Sequence, residues 1–288
     1  MGRFSCRPAV QRLAALCGAA VWAFAGAAVS QPPAQQLAQP LAQPVPHQNS
    51  PERRTVQDKD WGQWLGPFRA KLIPSLMRDF GEQYIYAPAD AALPPPSAER
   101  PRVVFLGDSI TDLWPIAESF PGRDYVNRGI GSQVTAQLLL RFHADVIALK
   151  PRVVVILAGV NDVQGFMQAP DQTQIQANYE AMAEMAHAHG IAVVFGSILP
   201  VNGLGPQGKD VLAERHPDEL RAINRWLKAY ASTHGDEYAD YYSALADSQG
   251  MMRPELTKDG VHPTAAGYAI MTPIAQRAID RALARTSR

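Results

Sequence analysis

Four apolar residues, Val103 to Leu106, run without interruption between Pro101 and Gly107. A strand with one wet face alternates apolar with polar residues, so an unbroken run this short predicts a strand buried on both faces. Such strands belong to parallel sheets, whose helical crossovers cover both sides. Gly107, Asp108 and Ser109 follow at once, and then a stretch that reads as a helix to about Glu118. Ser109 therefore stands at the carboxyl end of a central strand and near a helix N-terminus. Open α/β sheets gather their chemistry there.

The same pattern continues along the chain. Asp124–Asn127 predicts a short second strand, and the turn Gly129-Ile130-Gly131 leads into a helix to about Phe142 that Ser132 is placed to cap. Arg152–Ala158, continuously apolar from Val153 to Leu157, is the clearest strand and ends at Gly159. Asp171 is placed to cap a helix to His189, with Ile175, Tyr179, Met182 and Met185 on one stripe and Gly190 as its stop. Ile191–Leu199 predicts a fourth strand and Pro200–Arg215 a long polar loop. Pro217–His234 predicts a helix closed by Gly235, and Glu237–Tyr241 a short fifth strand. A terminal helix starts at Thr264 and is expected to kink at Pro273. Strands alternating with helices predict a three-layer α/β/α sandwich around a five-stranded parallel sheet with right-handed crossovers.

Residues 1–30 read as a secretory signal peptide. Arg3, Arg7 and Arg12 form a basic start, Leu13–Val29 is uncharged and apolar, and Ala28-Val29-Ser30 offers small residues before Gln31. The rival reading, an uncleaved anchor, needs a span of about 20 residues, and this run is somewhat short. The expected location is periplasmic or secreted, with no stable membrane insertion after cleavage. Both cysteines, Cys6 and Cys17, lie inside the signal, so the mature chain would have no disulfide and must be held by its core. Cleavage would leave 24 Lys and Arg against 27 Asp and Glu, a balance that gives no nucleic-acid or membrane-surface signature. Residues 31–56, rich in Gln, Pro and Ala, read as a disordered linker. Residues 57–100 read as a helical extension packed on the main domain through Trp61, Trp64, Leu65, Phe68, Leu72, Ile73 and Leu76, and 101–288 as that domain.

Four motifs stand in order at predicted strand ends: Gly107-Asp108-Ser109-Ile110, Gly129-Ile130-Gly131, Gly159-Val160-Asn161-Asp162 and Asp259-Gly260-Val261-His262. Each alone reads equally well as a turn or a helix cap. Together they resemble the SGNH hydrolases, the GDSL esterase/lipase superfamily, over roughly Val103 to Tyr268. Asn127–Gly131 and Asp259–Pro263 look most like the branch of platelet-activating-factor acetylhydrolase-like subunits and bacterial carbohydrate esterases. Ile110 departs from the Leu of the family name, one apolar residue for another. The resemblance implies a flavodoxin-like fold and a catalytic triad of Ser109, His262 and Asp259. It implies an oxyanion hole made by the backbone N–H groups of Ser109 and Gly131 and the side-chain amide of Asn161. It implies two-step acyl transfer to water, with no metal and no organic cofactor.

Other readings of these residues are weaker. Residue 134 is Val where a dinucleotide fingerprint would have its third glycine. His187 and His189 are two apart on a helix and face different ways, which argues against a shared metal. Asp162 reads as structural. The expected partner is a small-molecule or glycan ester, most simply an acetyl ester: the resemblance through Asn127–Gly131 and Asp259–Pro263 implies a branch rich in acetyl-specific enzymes, no long apolar or basic amphipathic stretch follows the signal, and the Pro200–Arg215 segment is polar and Gly-rich. Two alternatives stand beside it: a lipase, lysophospholipase or thioesterase for longer chains, and a non-catalytic glycan-binding protein on the same fold. The segments Val163–Asp171 and Pro200–Arg215 are expected to line the site.

Overall fold

A computed structural model describes residues 71–167, 171–204 and 208–286. The predicted signal peptide (1–30), the linker (31–56) and residues 57–70, with Trp61, Trp64, Leu65 and Phe68, lie outside the described residues. The elements are α1 (71–76), α2 (Ala87–Ala91), β1 (Val103–Gly107), α3 (Ser109–Asp112), α4 (Ile116–Ser119), β2 (Tyr125–Gly129), α5 (Thr135–Asp145) and β3 (Val153–Leu157). There follow α6 (Val160–Val163), α7 (Gln172–Ala188), β4 (Ala192–Gly196), α8 (Gly208–Arg215), α9 (Pro217–His234), β5 (Glu237–Ala239), α10 (Tyr241–Leu245) and α11 (Ala265–Thr286).

The sheet has five strands in the order β2-β1-β3-β4-β5, all parallel. This is the flavodoxin-like order, and it reverses at β1. The chain steps from β1 outward to β2 and then returns to β3 on the other side. β1 pairs with β3 from Val103↔Val153 to Gly107↔Leu157 and with β2 from Val103↔Tyr125 to Gly107↔Gly129. Every residue of β1 and β3 is buried, as two-sided helical cover requires. Helices α5, α7 and α9 pack along one face; α11 runs against β3, β4 and β5 with α10 beside it. Trp114 stacks on Tyr268 of α11 with ring centroids 5.6 Å apart, tying the segment after β1 to the terminal helix.

Several boundaries differ from expectation for identifiable reasons. The helix after Ser109 stops at Asp112 and resumes at Ile116, because Pro115 cannot continue it. β4 ends at Gly196 rather than Leu199. There the Asn224 side chain replaces a neighbouring strand, accepting from Ile198 N at 2.8 Å and donating to Ile198 O at 2.8 Å. The expected loop Pro200–Arg215 contains the helix α8. Its glycines and its two prolines all precede Lys209, and Lys-Asp-Val-Leu-Ala-Glu-Arg is mostly good helix former. The Asp171 cap forms as expected, its Oδ1 accepting from Thr173 N at 2.9 Å, and Gly235 closes α9 at φ +76. α11 carries Pro273 within one helix.

Candidate active site

The loops after β1, β2 and β3 and the turn before α11 converge at the carboxyl end of the sheet. Ser109 opens α3, whose N-cap Asp108 accepts from Ile110 N at 2.9 Å. Gly107 before it must be glycine, since a Cβ would stand 2.1 Å from Thr111 Oγ1 and 2.4 Å from Leu157 O. From the other side, Tyr268 donates from its hydroxyl to Ile110 O at 2.8 Å. The serine is thus fixed by the strand, by its cap and by the terminal helix.

His262 comes from a turn folded around Asp259. The Asp259 Oδ1 accepts from Val261 N at 3.0 Å and His262 N at 2.9 Å, while Oδ2 meets His262 Nδ1 at 2.7 Å. Gly260 sits at φ +92 with Asn202 O 2.2 Å from the place of a Cβ, so both conformation and space demand glycine. His262 Nε2 lies 2.8 Å from Ser109 Oγ. Burial by itself would raise the Asp259 carboxyl, but the His262 side chain and the two backbone N–H groups hold it well below the usual carboxylate range. The result is an unbroken line from an ionised carboxylate through an imidazole to a hydroxyl, the arrangement that can make a serine nucleophilic.

Gly131 lies beside the serine, with Ser109 Cβ 3.9 Å and Asp112 Oδ2 3.7 Å from the place of a Cβ. Asn161, on α6 directly after β3, is buried and donates one amide hydrogen to Gln133 O at 3.0 Å. The sequence-expected residues Ser109, Gly131, Asn161, Asp259 and His262 therefore occupy one site. Ser132, expected as a helix cap, does not cap α5. It stands at φ +68, the N-cap position is Val134, and the Thr135 N–H and hydroxyl both go to Asp162. Asp162 has the structural role expected of it, joining the second loop to the third.

Three residues near the site carried no signal in the sequence, and a fourth, Asp108, read only as a turn residue. Gln133 and Arg141 are buried beneath the glycine loop, with Arg141 Nε donating to Gln133 Oε1 at 2.6 Å. Arg215, at the end of α8, is 5% exposed and its Nε has no hydrogen-bond partner. Burial lowers its pKa against the charges of Glu214, Asp259 and Asp108. The neighbouring Glu214 accepts from Gln164 of the third loop at 2.7 Å, which ties α8 to that loop. Asp108 is wholly buried and its Oδ2 has no partner.

Burial pushes the Asp108 carboxyl up to about 7, although the Ile110 N–H and His262 pull it down. A carboxyl that binds its proton more tightly when folded makes stability fall as pH rises from its unfolded value of ~4, and the fall ends near the folded value. Asp108→Asn removes this slope. The variant should gain in Tm on the parent from about pH 5 to about pH 7, and the gain should level off above that. Thermal melts across that range check it; a difference independent of pH would contradict the buried charge.

Among the described residues no group of three or more His, Cys, Asp or Glu could hold a metal ion, and no helix is long and apolar enough to cross a membrane. His187 and His189 have separate partners, Asp236 Oδ1 and Met185 O.

A parallel sheet in flavodoxin order with a Ser-His-Asp line at its switch point defines the class of serine hydrolases on a three-layer α/β/α scaffold. The sequence model of the GDSL-like lipase/acylhydrolase family matches residues 105–270, and the chain belongs to that family. A GDSL-like lipase from Bacteroides thetaiotaomicron is 36% identical with a TM-score of 0.66, the match covering 71% of this chain and 100% of that one. A candidate acylhydrolase from Bacteroides fragilis is 37% identical, also with a TM-score of 0.66, over 71% of this chain and 99% of that one. An acetylxylan esterase from Geobacillus stearothermophilus shares the fold at 21% identity and a TM-score of 0.51, over 65% of this chain and 96% of that one. A comparison with curated proteins finds no match. The chain is an ester-bond hydrolase of this family.

Proposed function

We propose that this esterase is secreted or periplasmic and removes short acyl groups, chiefly acetyl, from carbohydrates. The observation that carries the chemistry is the 2.8 Å and 2.7 Å line joining Ser109 Oγ, His262 and Asp259. His262 Nε2 takes the Ser109 proton as Oγ attacks the ester carbonyl. The Asp259 carboxylate keeps the imidazole in the Nδ1–H tautomer and stabilises the imidazolium. The tetrahedral oxyanion is met by the N–H group of Ser109 and the second amide hydrogen of Asn161, with the Gly131 N–H, which in the free enzyme faces the Asp112 carboxyl, as the third donor. His262 then protonates the departing alkoxide, and water repeats the sequence on the acyl-serine. A binding module has no use for this line, which counts against the non-catalytic reading.

The polar character of the third loop and of α8, which the sequence expects to line the site, favours a hydrated alcohol portion. Gln164 and Glu214, bonded to each other, and Arg215 beside them make this part of the third loop and α8 polar, where a long acyl chain would need apolar cover. A series of p-nitrophenyl esters from acetate to palmitate, run beside acetylated xylo-oligosaccharides, tests the reading. We expect kcat/KM to peak at acetate and acetate to be released from the glycan. A peak at about eight carbons or more would overturn the short-chain reading in favour of a lipase. Export is tested by cell fractionation with N-terminal sequencing, the expected mature start being Gln31.

Asn161→Ala should cut kcat by ~10²–10³ and leave KM nearly unchanged, because an oxyanion donor acts mainly in the transition state. Steady-state kinetics on p-nitrophenyl acetate check this. A raised KM with unchanged kcat would make Asn161 a ground-state binding residue.

A further inference from the structure

The segment 128–137 carries Gly131 and also the Gln133 carbonyl that holds Asn161 Nδ2. An amide nitrogen has two hydrogens, so fixing one on Gln133 O fixes where the other points. Gln133 itself is fully buried and both ends of its side chain are occupied. Its Oε1 accepts from Arg141 Nε at 2.6 Å; its Nε2 donates to Gly81 O at 3.2 Å and Glu82 Oε2 at 3.1 Å. Arg141 continues inward, donating to Arg128 O at 2.8 Å, to Asp145 Oδ2 at 2.8 Å, and to Gly107 O at 2.9 Å, two residues before the serine.

The outer side of the same segment is gripped by residues 80–90, which run ahead of the sheet. Gln137 Nε2 donates to Phe80 O at 2.8 Å, and Tyr86 donates from its hydroxyl to Gly129 O. Arg128 pairs with Asp90, its Nε 2.8 Å from Oδ1, and its guanidinium lies 4.5 Å from the Tyr86 ring centroid. This strap reaches the segment on both sides of Gly131, and none of its contacts falls on Ser109, Asp259 or His262.

We infer that Gln133 is the positioning residue of the oxyanion hole, and that the strap of residues 80–90 belongs to the catalytic apparatus as the outer half of its mount. The inference rests on the esterase reading. Oxyanion donors act only when they are already in place, and a displacement of ~1 Å can cost ~10²-fold in rate. Every polar group of the Gln133 side chain is paired, and although Asp145 Oδ1 at the far end of the network has no partner, a side chain held at both ends is rigid, which is what a preorganised hole requires. Among the described residues, Gln133 is the side chain whose hydrogen bonds join the inner support, Arg141, to the outer one, the strap.

The test uses the full chain with p-nitrophenyl acetate and a boronic acid, which binds serine esterases as a tetrahedral adduct and so reports on the hole. Gln133→Leu should lower kcat about tenfold to a hundredfold, leave KM within about twofold, and weaken boronate binding by the same factor as kcat/KM. Gln133→Glu keeps an acceptor for Arg141 but sets a carboxylate against Glu82. It should lose activity in the same way if the strap matters, and behave as the parent if it does not. Tyr86→Phe keeps the ring over Arg128 and removes only the bond to Gly129 O. It should lower kcat and boronate affinity together by about threefold or more, and it decides the question should Gln133→Leu fail to fold. Folded variants with parental kcat, or with lowered kcat and unchanged boronate affinity, overturn the inference. A parent protein that hydrolyses no ester and binds no boronate fails the esterase reading itself, whereas an active parent with indifferent variants fails this inference alone.

Discussion

Replacing Ser109 by alanine is expected to abolish ester hydrolysis and leave the fold unchanged. The hydroxyl's side-chain contact is His262 Nε2, and the residue is only half-buried, so the change opens no core cavity and strands no buried group. The backbone that positions it is set by Gly107, by the Asp108 cap and by Tyr268, all untouched. Loss of a triad serine costs ~10⁴ or more in turnover, the remainder coming from the oxyanion hole and binding. The check is kcat/KM beside a thermal melt. A variant with the parental Tm and more than about a tenth of the parental rate would remove Ser109 from the mechanism.

Asp259→Asn should cost ~10⁴ in kcat, and the geometry says why. The Oδ1 position faces two backbone donors, Val261 N and His262 N, so it must remain an oxygen in the amide. The new NH₂ is then forced into the Oδ2 position, 2.7 Å from His262 Nδ1, where it can only donate. His262 would have to carry its proton on Nε2 and could no longer accept one from Ser109. The turn itself should survive, since its hydrogen bonds to Oδ1 persist. Kinetics with a melt test this: a rate within about tenfold of the parent would show that the carboxylate does not set the tautomer.

Much of the frame was legible because it rests on local pattern. Val103–Leu106 and Val153–Leu157 are apolar throughout, and they became neighbouring central strands with no exposed residue. The Asp259-Gly260-Val261-His262 spacing closes a turn on itself, so its geometry follows from four consecutive residues. The mount of the glycine loop was not legible, because its partners are distant in sequence. Arg141 bonds a carbonyl 34 residues earlier, and Gln133 a segment 51 and 52 residues earlier. On a helix with a polar side, an arginine gives no local sign that it points inward. Ser132 misled for a related reason. Its type suits an N-cap, but the donor at the start of α5 is met by Asp162, 27 residues further on. Asp108 reads as a turn residue and is one, yet its second oxygen is buried without a partner, a property set by what packs over it.

The central event is the transfer of an acyl group to Ser109 Oγ. It can be trapped by mixing the full-length protein with a slowly hydrolysed activated ester, quenching in acid, and mapping the adduct by peptide mass spectrometry. An acyl mass is expected on the peptide containing Ser109, accumulating within the first turnover and absent from Ser109→Ala. Steady hydrolysis with no adduct at Ser109, or with the acyl group on another residue, would contradict it.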